Sequence, residues 1–184
     1  MPQGRTEVPA GVEIAAVSGV ATWDLRRRVL RGGRADAKVT FAGDDDPTSF
    51  HLGAYVSTRT QLGLGEASGS ACGPGLAGVL SVLPESVLPE SLHVAESGLQ
   101  MGAKGPSFRL RGMAVDPAWQ GRKVGTALWR AAAGELRNRG AELCWANARD
   151  SALPFYAHLG WRVVGEGFTG EQGVPHHLVV IELN

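Results

Sequence analysis

One stretch, Met113 to Leu128, constrains this chain more than any other: Met-Ala-Val-Asp-Pro-Ala-Trp-Gln-Gly-Arg-Lys-Val-Gly-Thr-Ala-Leu. An apolar, strand-like run passes through Asp116-Pro117 into a short glycine-bearing loop, which opens directly on the most regular helical segment of the sequence. The first N–H groups of a helix have no intrahelical partner and lie at the positive end of its dipole. A loop whose own N–H groups converge on the same point completes a concavity suited to phosphate or pyrophosphate.

At 184 residues the chain is long enough for one real core and short of an obvious second one. Residues 1–10 read as a disordered leader and 11–184 as a single domain. The 18 basic and 18 acidic residues cancel, so no global charge favours nucleic acid or an anionic membrane. No stretch approaches the length of a membrane-spanning helix and the N-terminus has no apolar signal region, which makes a cytoplasmic, reduced protein the default. Of the two cysteines, Cys144 lies in an apolar run and reads as a buried small hydrophobe, while Cys72 reads as an exposed thiol. Neither has a Cys or His nearby at metal spacing, and no metal is expected.

Taken in order, Val12–Val17 is a plausible first strand, and Ala21, Leu25, Val29 and Leu30 recur about one helical turn apart. Arg26, Arg27 and Arg28 fall largely off that stripe and read as a solvated face, with the helix ending near Gly32-Gly33. The acidic turn Asp44-Asp45-Asp46 precedes a strand over Phe50–Val56. It is either a solvated turn or a patch that attracts an amine; the ligand spacing of a calcium loop is absent. Two long connections, 57–75 and 84–106, flank a strand over Leu76–Leu83, and connections of such length are usually lids or disordered segments. Gly63-Leu64-Gly65 begins a dinucleotide-type pattern, but the next glycine is misplaced and no helix follows, so it is set aside.

The second half is more regular. Phe108–Val115 is a strand, with Gly112 marking a bulge or a close backbone approach. A helix follows through Asn138, with Val124, Leu128, Ala131, Ala132 and Leu136 on its buried side and Gly140 as its stop. Leu143–Ala148 is a strand, and Ala152–Leu159 a short helix capped by Ser151 or Asp150. Strands at Trp161–Gly165 and His177–Leu183 are joined by a loop over 167–175. This alternation predicts an α/β fold with a mixed sheet, parallel in part.

These residues resemble the GCN5-related N-acetyltransferases, the GNAT superfamily. The family signature Gln/Arg-x-x-Gly-x-Gly/Ala at a strand-to-helix turn is similar to Gln120-Gly121-Arg122-Lys123-Val124-Gly125. A second signature, Asn followed by a short helix with Phe-Tyr and then Leu-Gly-Trp, matches Asn147 and Phe155-Tyr156-Ala157-His158-Leu159-Gly160-Trp161. The ending Gly173-Val174-Pro175-His176 looks like that of small bacterial ElaA-type members. Lys123 departs from the pattern by standing at the usual middle glycine. If that position requires a positive φ, lysine costs about 1 kcal/mol of strain. If it does not, the ammonium can reach a coenzyme phosphate.

The resemblance implies a central mixed, splayed sheet flanked by helices, and acetyl transfer from acetyl-CoA to a primary amine of a small molecule or peptide by direct attack in a ternary complex. No nucleic-acid or membrane partner is implied, and a homodimer is left open. Gln120, Gly121, Arg122, Lys123, Val124, Gly125 and Thr126 would cradle the pyrophosphate; Met113, Ala114 and Val115 would line the pantetheine arm, with the Met113 N–H as oxyanion donor. Asn147 would orient the pantetheine or a water, and Tyr156 would protonate the departing thiolate.

The base is less determined, because Phe108–Asp116 lacks the Glu that many family members place there. His176, His51, Glu85 and the Asp44 to Asp46 turn remain, and His176, in a motif position after Pro175, is preferred. Two rival readings are a CoA-binding module without catalysis and a transferase of a bulkier acyl group.

Overall fold

Alternating and continuous apolar runs set which strands are covered on one face and which on both. In the computed structural model, residues 8–56, 75–85, 106–170 and 173–183 are described. Their strands are β1 (Val12–Val17), β2 (Phe50–Val56), β3 (Leu76–Pro84), β4 (Ser107–Val115), β5 (Leu143–Arg149), β6 (Arg162–Thr169) and β7 (Pro175–Glu182). They form one sheet in the order β1-β2-β3-β4-β5-β7-β6. β1 and β2 run antiparallel, β4 and β5 parallel, and β7 lies antiparallel to both β5 and β6, so the sheet is mixed as expected. β3, apolar along its length but for Ser81, is buried from Ala77 to Leu83. Cys72, the Gly63-Leu64-Gly65 pattern and most of the two long connections lie outside the described residues, as does most of the leader.

The first helical stretch, α1, is Val20–Thr22, Trp23–Leu25 and Arg26–Leu30 in succession, the last segment wound as a π-helix. Gly32 and Gly33, at φ 63° and 76°, end it. The long helix α2 (Val124–Asn138) buries Val124, Leu128, Ala132 and Leu136, with Ala127 and Ala133 beside them, while Ala131 is only partly covered. It stops where Gly140 takes φ 70° and the Ala141 amide donates back to Leu136 O at 3.0 Å.

The short helix α3 (Leu153–His158) departs from expectation: neither Ser151 nor Asp150 caps it. A 3-10 turn over Asp150–Ala152 leads straight into it, the Leu153 amide donates to Asp150 O, and the Asp150 carboxylate is held by His177 Nδ1 at 2.8 Å. The loop expected over 167–175 is shorter, because β6 extends to Thr169 and β7 begins at Pro175.

The chain packs as two compact units: Met1–Ser81 with Gly112–Ala132, and Val82–Arg111 with Ala133–Asn184. In the first, Leu25, Val79 and Ala114 form an apolar cluster with Val29, Leu30 and Leu76 against it. In the second, Leu143, Trp145, Leu178 and Val180 do so with Val164.

The arginine run of α1 is a correction to the sequence reading. Arg26 is 1% exposed and donates from Nη1 to Asp44 Oδ2 at 2.7 Å and Val39 O at 2.9 Å, and from Nη2 to Asp44 Oδ1 at 3.0 Å and Ser81 Oγ at 2.5 Å. Arg26 opens the π-wound turn, and the partners that bury it come from residues 39–44 and β3. His51 completes the network, with Nδ1 2.6 Å from Ser81 Oγ and Nε2 3.0 Å from Asp44 O. Gly112 is the bulge or close approach its sequence context suggests: its φ is 59°, and a Cβ there would lie 2.7 Å from both Arg26 Nε and Phe41 Cε2.

Burial works to raise the Asp44 carboxyl, but hydrogen bonds from Arg26 and the Phe41 amide, with the charges of Arg26 and His51, hold it below the ordinary carboxylate range. A depressed folded pKa contributes stability that is present above the unfolded value and lost as pH falls through the folded one. Asp44→Asn is therefore expected to cost about 3 kcal/mol at neutral pH. Urea unfolding should show this difference shrinking below pH of about 4, the ordinary carboxylate pKa.

Candidate active site

The strand-to-helix turn is built in the first unit. The Asp116 amide donates to Ala77 O at 2.8 Å, and its carboxylate caps a 3-10 turn over Pro117–Trp119 by accepting from the Ala118 amide at 3.0 Å. Arg28 of α1 grips the other carboxylate oxygen at 2.7 Å, a role that no local sequence signal announces. Gln120 folds its amide back onto Val115 O at 3.0 Å, which ties the loop to the end of β4 and fills one lone pair of that carbonyl.

Beyond Gln120 the backbone turns twice through left-handed conformations, with Gly121 at φ 71° and Lys123 at φ 61°. Lys123 is the one non-glycine residue with positive φ among those described, so its place at the family's glycine position carries strain. Lys123 O accepts the first bond of α2, from the Ala127 amide at 3.0 Å. Among the described residues, the amides of Gly121, Arg122, Lys123, Val124, Gly125 and Thr126 donate no backbone hydrogen bond. A run of unspent N–H groups at the start of a fifteen-residue helix fits a pyrophosphate. Gly121, Arg122 and Lys123 are exposed, and a Cβ on Gly121 would meet nothing within 4 Å, so the cradle is open. Arg122 lies 5.1 Å from the Trp119 ring centroid, a further cation beside it.

Met113 is half-buried and Ala114 buried, in the same unit. The parallel register of β4 with β5 covers Ser107↔Leu143, Phe108↔Cys144 and Arg109↔Trp145, and Met113 and Val115 lie outside it.

The remaining predicted residues belong to the second unit. Tyr156 is 7% exposed, edge-on to Phe155 and Trp161 at centroid distances of 5.5 and 5.1 Å. Burial and the neighbouring Cys144 push its phenol above the usual tyrosine range, and its hydroxyl makes no hydrogen bond to a described residue. It is a protonated donor with its proton unspent. Cys144 is fully buried as expected, and burial raises its thiol. Asn147 is half-buried on β5, opposite Leu178 of β7.

His176 stands in β7 opposite Phe168, its ring stacked on that of Phe168 at 5.8 Å. Its Nδ1 is 2.7 Å from Val174 O, a carbonyl that can only accept, so Nδ1 is the donor. His51 differs, since both of its ring nitrogens are engaged in the buried Arg26 network. The acidic turn is spent as well, with Asp44 paired to Arg26 and Asp46 Oδ1 accepting from Thr48 N and Oγ1 at 2.7 and 2.6 Å. Two of its three carboxylates are thus structural, against the amine-attracting alternative. Among the described residues no group of three or more His, Cys, Asp or Glu could hold a metal, and no helix is long and apolar enough to cross a membrane.

Because only glycine takes a left-handed backbone freely, Lys123→Gly should raise stability by about 1 kcal/mol, whereas Lys123→Ala should leave it nearly unchanged. Equal midpoints for the lysine and glycine forms in urea would mean that the turn stores no strain there.

Residues 94–183 match the acetyltransferase (GNAT) domain model. An uncharacterised N-acetyltransferase of Bacillus subtilis (strain 168), YitI, is 27% identical over 169 residues, 92% of this chain and 94% of its own. In fold the chain is similar to Escherichia coli ElaA, with TM-score 0.62, 14% identity and coverage of 92% and 98% of the two chains. It is also similar to an aminoglycoside 6'-N-acetyltransferase complexed with coenzyme A, with TM-score 0.61, 11% identity and coverage of 94% and 97%. At these identities the last two are likenesses of fold, and the ElaA branch is not singled out by them. Residues 94–183 are thus similar to the GNAT acetyltransferase domain, and the mixed seven-stranded sheet is similar to the GNAT acyl-CoA N-acyltransferase fold.

Proposed function

We propose that the protein transfers an acetyl group from acetyl-CoA to a primary amine by direct attack in a ternary complex, in the cytoplasm. The observation that carries this reading is the run of unpaired amides from Gly121 to Thr126 ahead of α2. It is a site for a pyrophosphate that needs no metal and no side-chain charge. The coenzyme A bound to the structurally similar aminoglycoside acetyltransferase supports the same ligand.

The thioester supplies an activated acyl carbon, and the protein's part is to hold it, stabilise charge and move protons. Gln120 ties the loop to β4, and Met113, Ala114 and Val115 accompany the pantetheine as an added strand would. The Met113 N–H donates to the oxygen that becomes negative on attack. His176 takes the amine's proton at Nε2, its ring turned by the Nδ1 contact to Val174 O. As the C–S bond breaks, the thiolate receives the phenolic proton of Tyr156, whose burial keeps it protonated until a stronger base forms beside it. Asn147 orients the pantetheine. Cys144 takes no part as a covalent carrier, because a fully buried thiol with a raised pKa is a poor nucleophile.

Tyr156→Phe tests the assignment. Turnover, read as CoA release with a panel of primary amines, should fall about a hundredfold. The acetyl-CoA dissociation constant should stay within about twofold, since the lost group acts on the departing sulfur and not on ground-state binding. Unchanged turnover would remove Tyr156 as the acid. His176→Gln should remove the low-pH limb of the kcat/KM profile, which marks deprotonation of a base.

A further inference from the structure

The helix that carries Tyr156, α3, is weakly defined by its own residues. It is six residues long, and no side chain caps it or the 3-10 turn over Asp150–Ala152 that leads into it. The pairing of β5 with β7 ends just before that turn, at Arg149↔His176. Among the described residues, one side-chain hydrogen bond ties the turn and α3 to the sheet: Nδ1–H of His177 in β7 donates to Asp150 Oδ1 at 2.8 Å. The carboxylate best placed to cap the helix is spent on this tether instead. All of these residues lie in the second unit.

Gly167 of β6 makes room for the contact. A Cβ there would lie 2.8 Å from His177 Cε1 and 2.9 Å from Nε2, so the ring occupies the space that a side chain would fill. The pair keeps 27% and 44% of its two side chains exposed, and partly solvated pairs of this kind add little stability. What it supplies is position. The Tyr156 hydroxyl has no hydrogen-bond partner among the described residues, so its direction is set by the place of α3 and by edge-on packing against Phe155 and Trp161. His177 shares a face with Ala148, its partner across β5, and therefore with Cys144, the neighbour of Tyr156. His176 points to the opposite face, where it stacks on Phe168. Consecutive residues of β7 thus serve the two faces of the sheet.

We propose that His177, through Asp150, is the positioning residue that sets α3 and with it the aim of the Tyr156 phenol. This rests on the acyl-transfer reading above, with Tyr156 as the acid and His176, on the other face, as the base. Neither His177 nor Asp150 touches a substrate; both act through the placement of the phenol.

Asparagine carries an N–H close to the position of histidine Nδ1, so His177→Asn keeps the tether and His177→Ala removes it. Turnover, read as CoA release with the fastest amine of the panel above, should fall about tenfold in His177→Ala. His177→Asn should retain most of it, and in both the acetyl-CoA dissociation constant should stay within about twofold, which also verifies the fold. Gly167→Ala should act like His177→Ala, because its methyl group displaces the ring from Asp150. In a Tyr156→Phe background His177→Ala should cost nothing further, whereas a merely structural role would lower turnover again. The ring-proton resonances of Tyr156, set by the edge-on Trp161 ring, should move in His177→Ala and stay in His177→Asn. A full additional loss in the Tyr156→Phe background, or Tyr156 resonances unmoved in His177→Ala, overturns the proposal. If Tyr156→Phe alone leaves turnover unchanged, the acid assignment beneath it has failed instead.

Discussion

A chain that passes from a strand into a helix through a short loop must leave several amides without carbonyl partners, and it is stable only if those amides meet water or an anion. Between Val115 and Val124 the chain passes through two left-handed residues, Gly121 and Lys123, in an exposed stretch of loop. Everything around the turn serves to hold it there. Asp116 closes the turn beneath, Arg28 fixes Asp116 from α1, and Gln120 closes the loop back onto β4. The strain at Lys123 is the cost of a geometry that glycine would adopt without penalty.

A second constraint sits behind the first. Burying a guanidinium is tolerable only when its donors and its charge are matched, and Arg26 matches four of its five N–H groups with Asp44, Val39 and Ser81. The fifth, at Nε, faces Gly112, which has no Cβ to obstruct it. The network therefore ties α1 and residues 39–44 to β3 and to the β4 residue that precedes Met113. His51 closes the same network. Ser81 Oγ accepts from Arg26 and lies 2.6 Å from His51 Nδ1, and the carbonyl of Asp44 accepts from Nε2 at 3.0 Å.

Much of the fold was legible because its elements obey their periods. The bounds of β1 and β2 follow from apolar runs, α2 from its four-residue stripe and the stop at Gly140, and β5 from the run around Cys144. The strand-to-helix turn proposed to hold the pyrophosphate was legible for a different reason: glycine and helix-start signals report backbone geometry. What escaped depended on contacts distant in sequence. The burial of Arg26 rests on a carboxylate eighteen residues away. The grip of Arg109 on Glu85 and of Arg28 on Asp116 joins residues that no local pattern connects. The cap expected at Asp150 failed because His177, beyond β6, had claimed that carboxylate.

The central claim is that the amides of Gly121 through Thr126 form the binding site for the pyrophosphate of coenzyme A. Amide chemical shifts on titration with coenzyme A, and separately with pantetheine, which lacks the pyrophosphate, test it most directly. The account predicts that coenzyme A moves the resonances of Gly121, Arg122, Lys123, Val124, Gly125 and Thr126 downfield together, while pantetheine leaves them in place. Coenzyme A binding that leaves these six amides unmoved, or pantetheine shifting them equally, would contradict it.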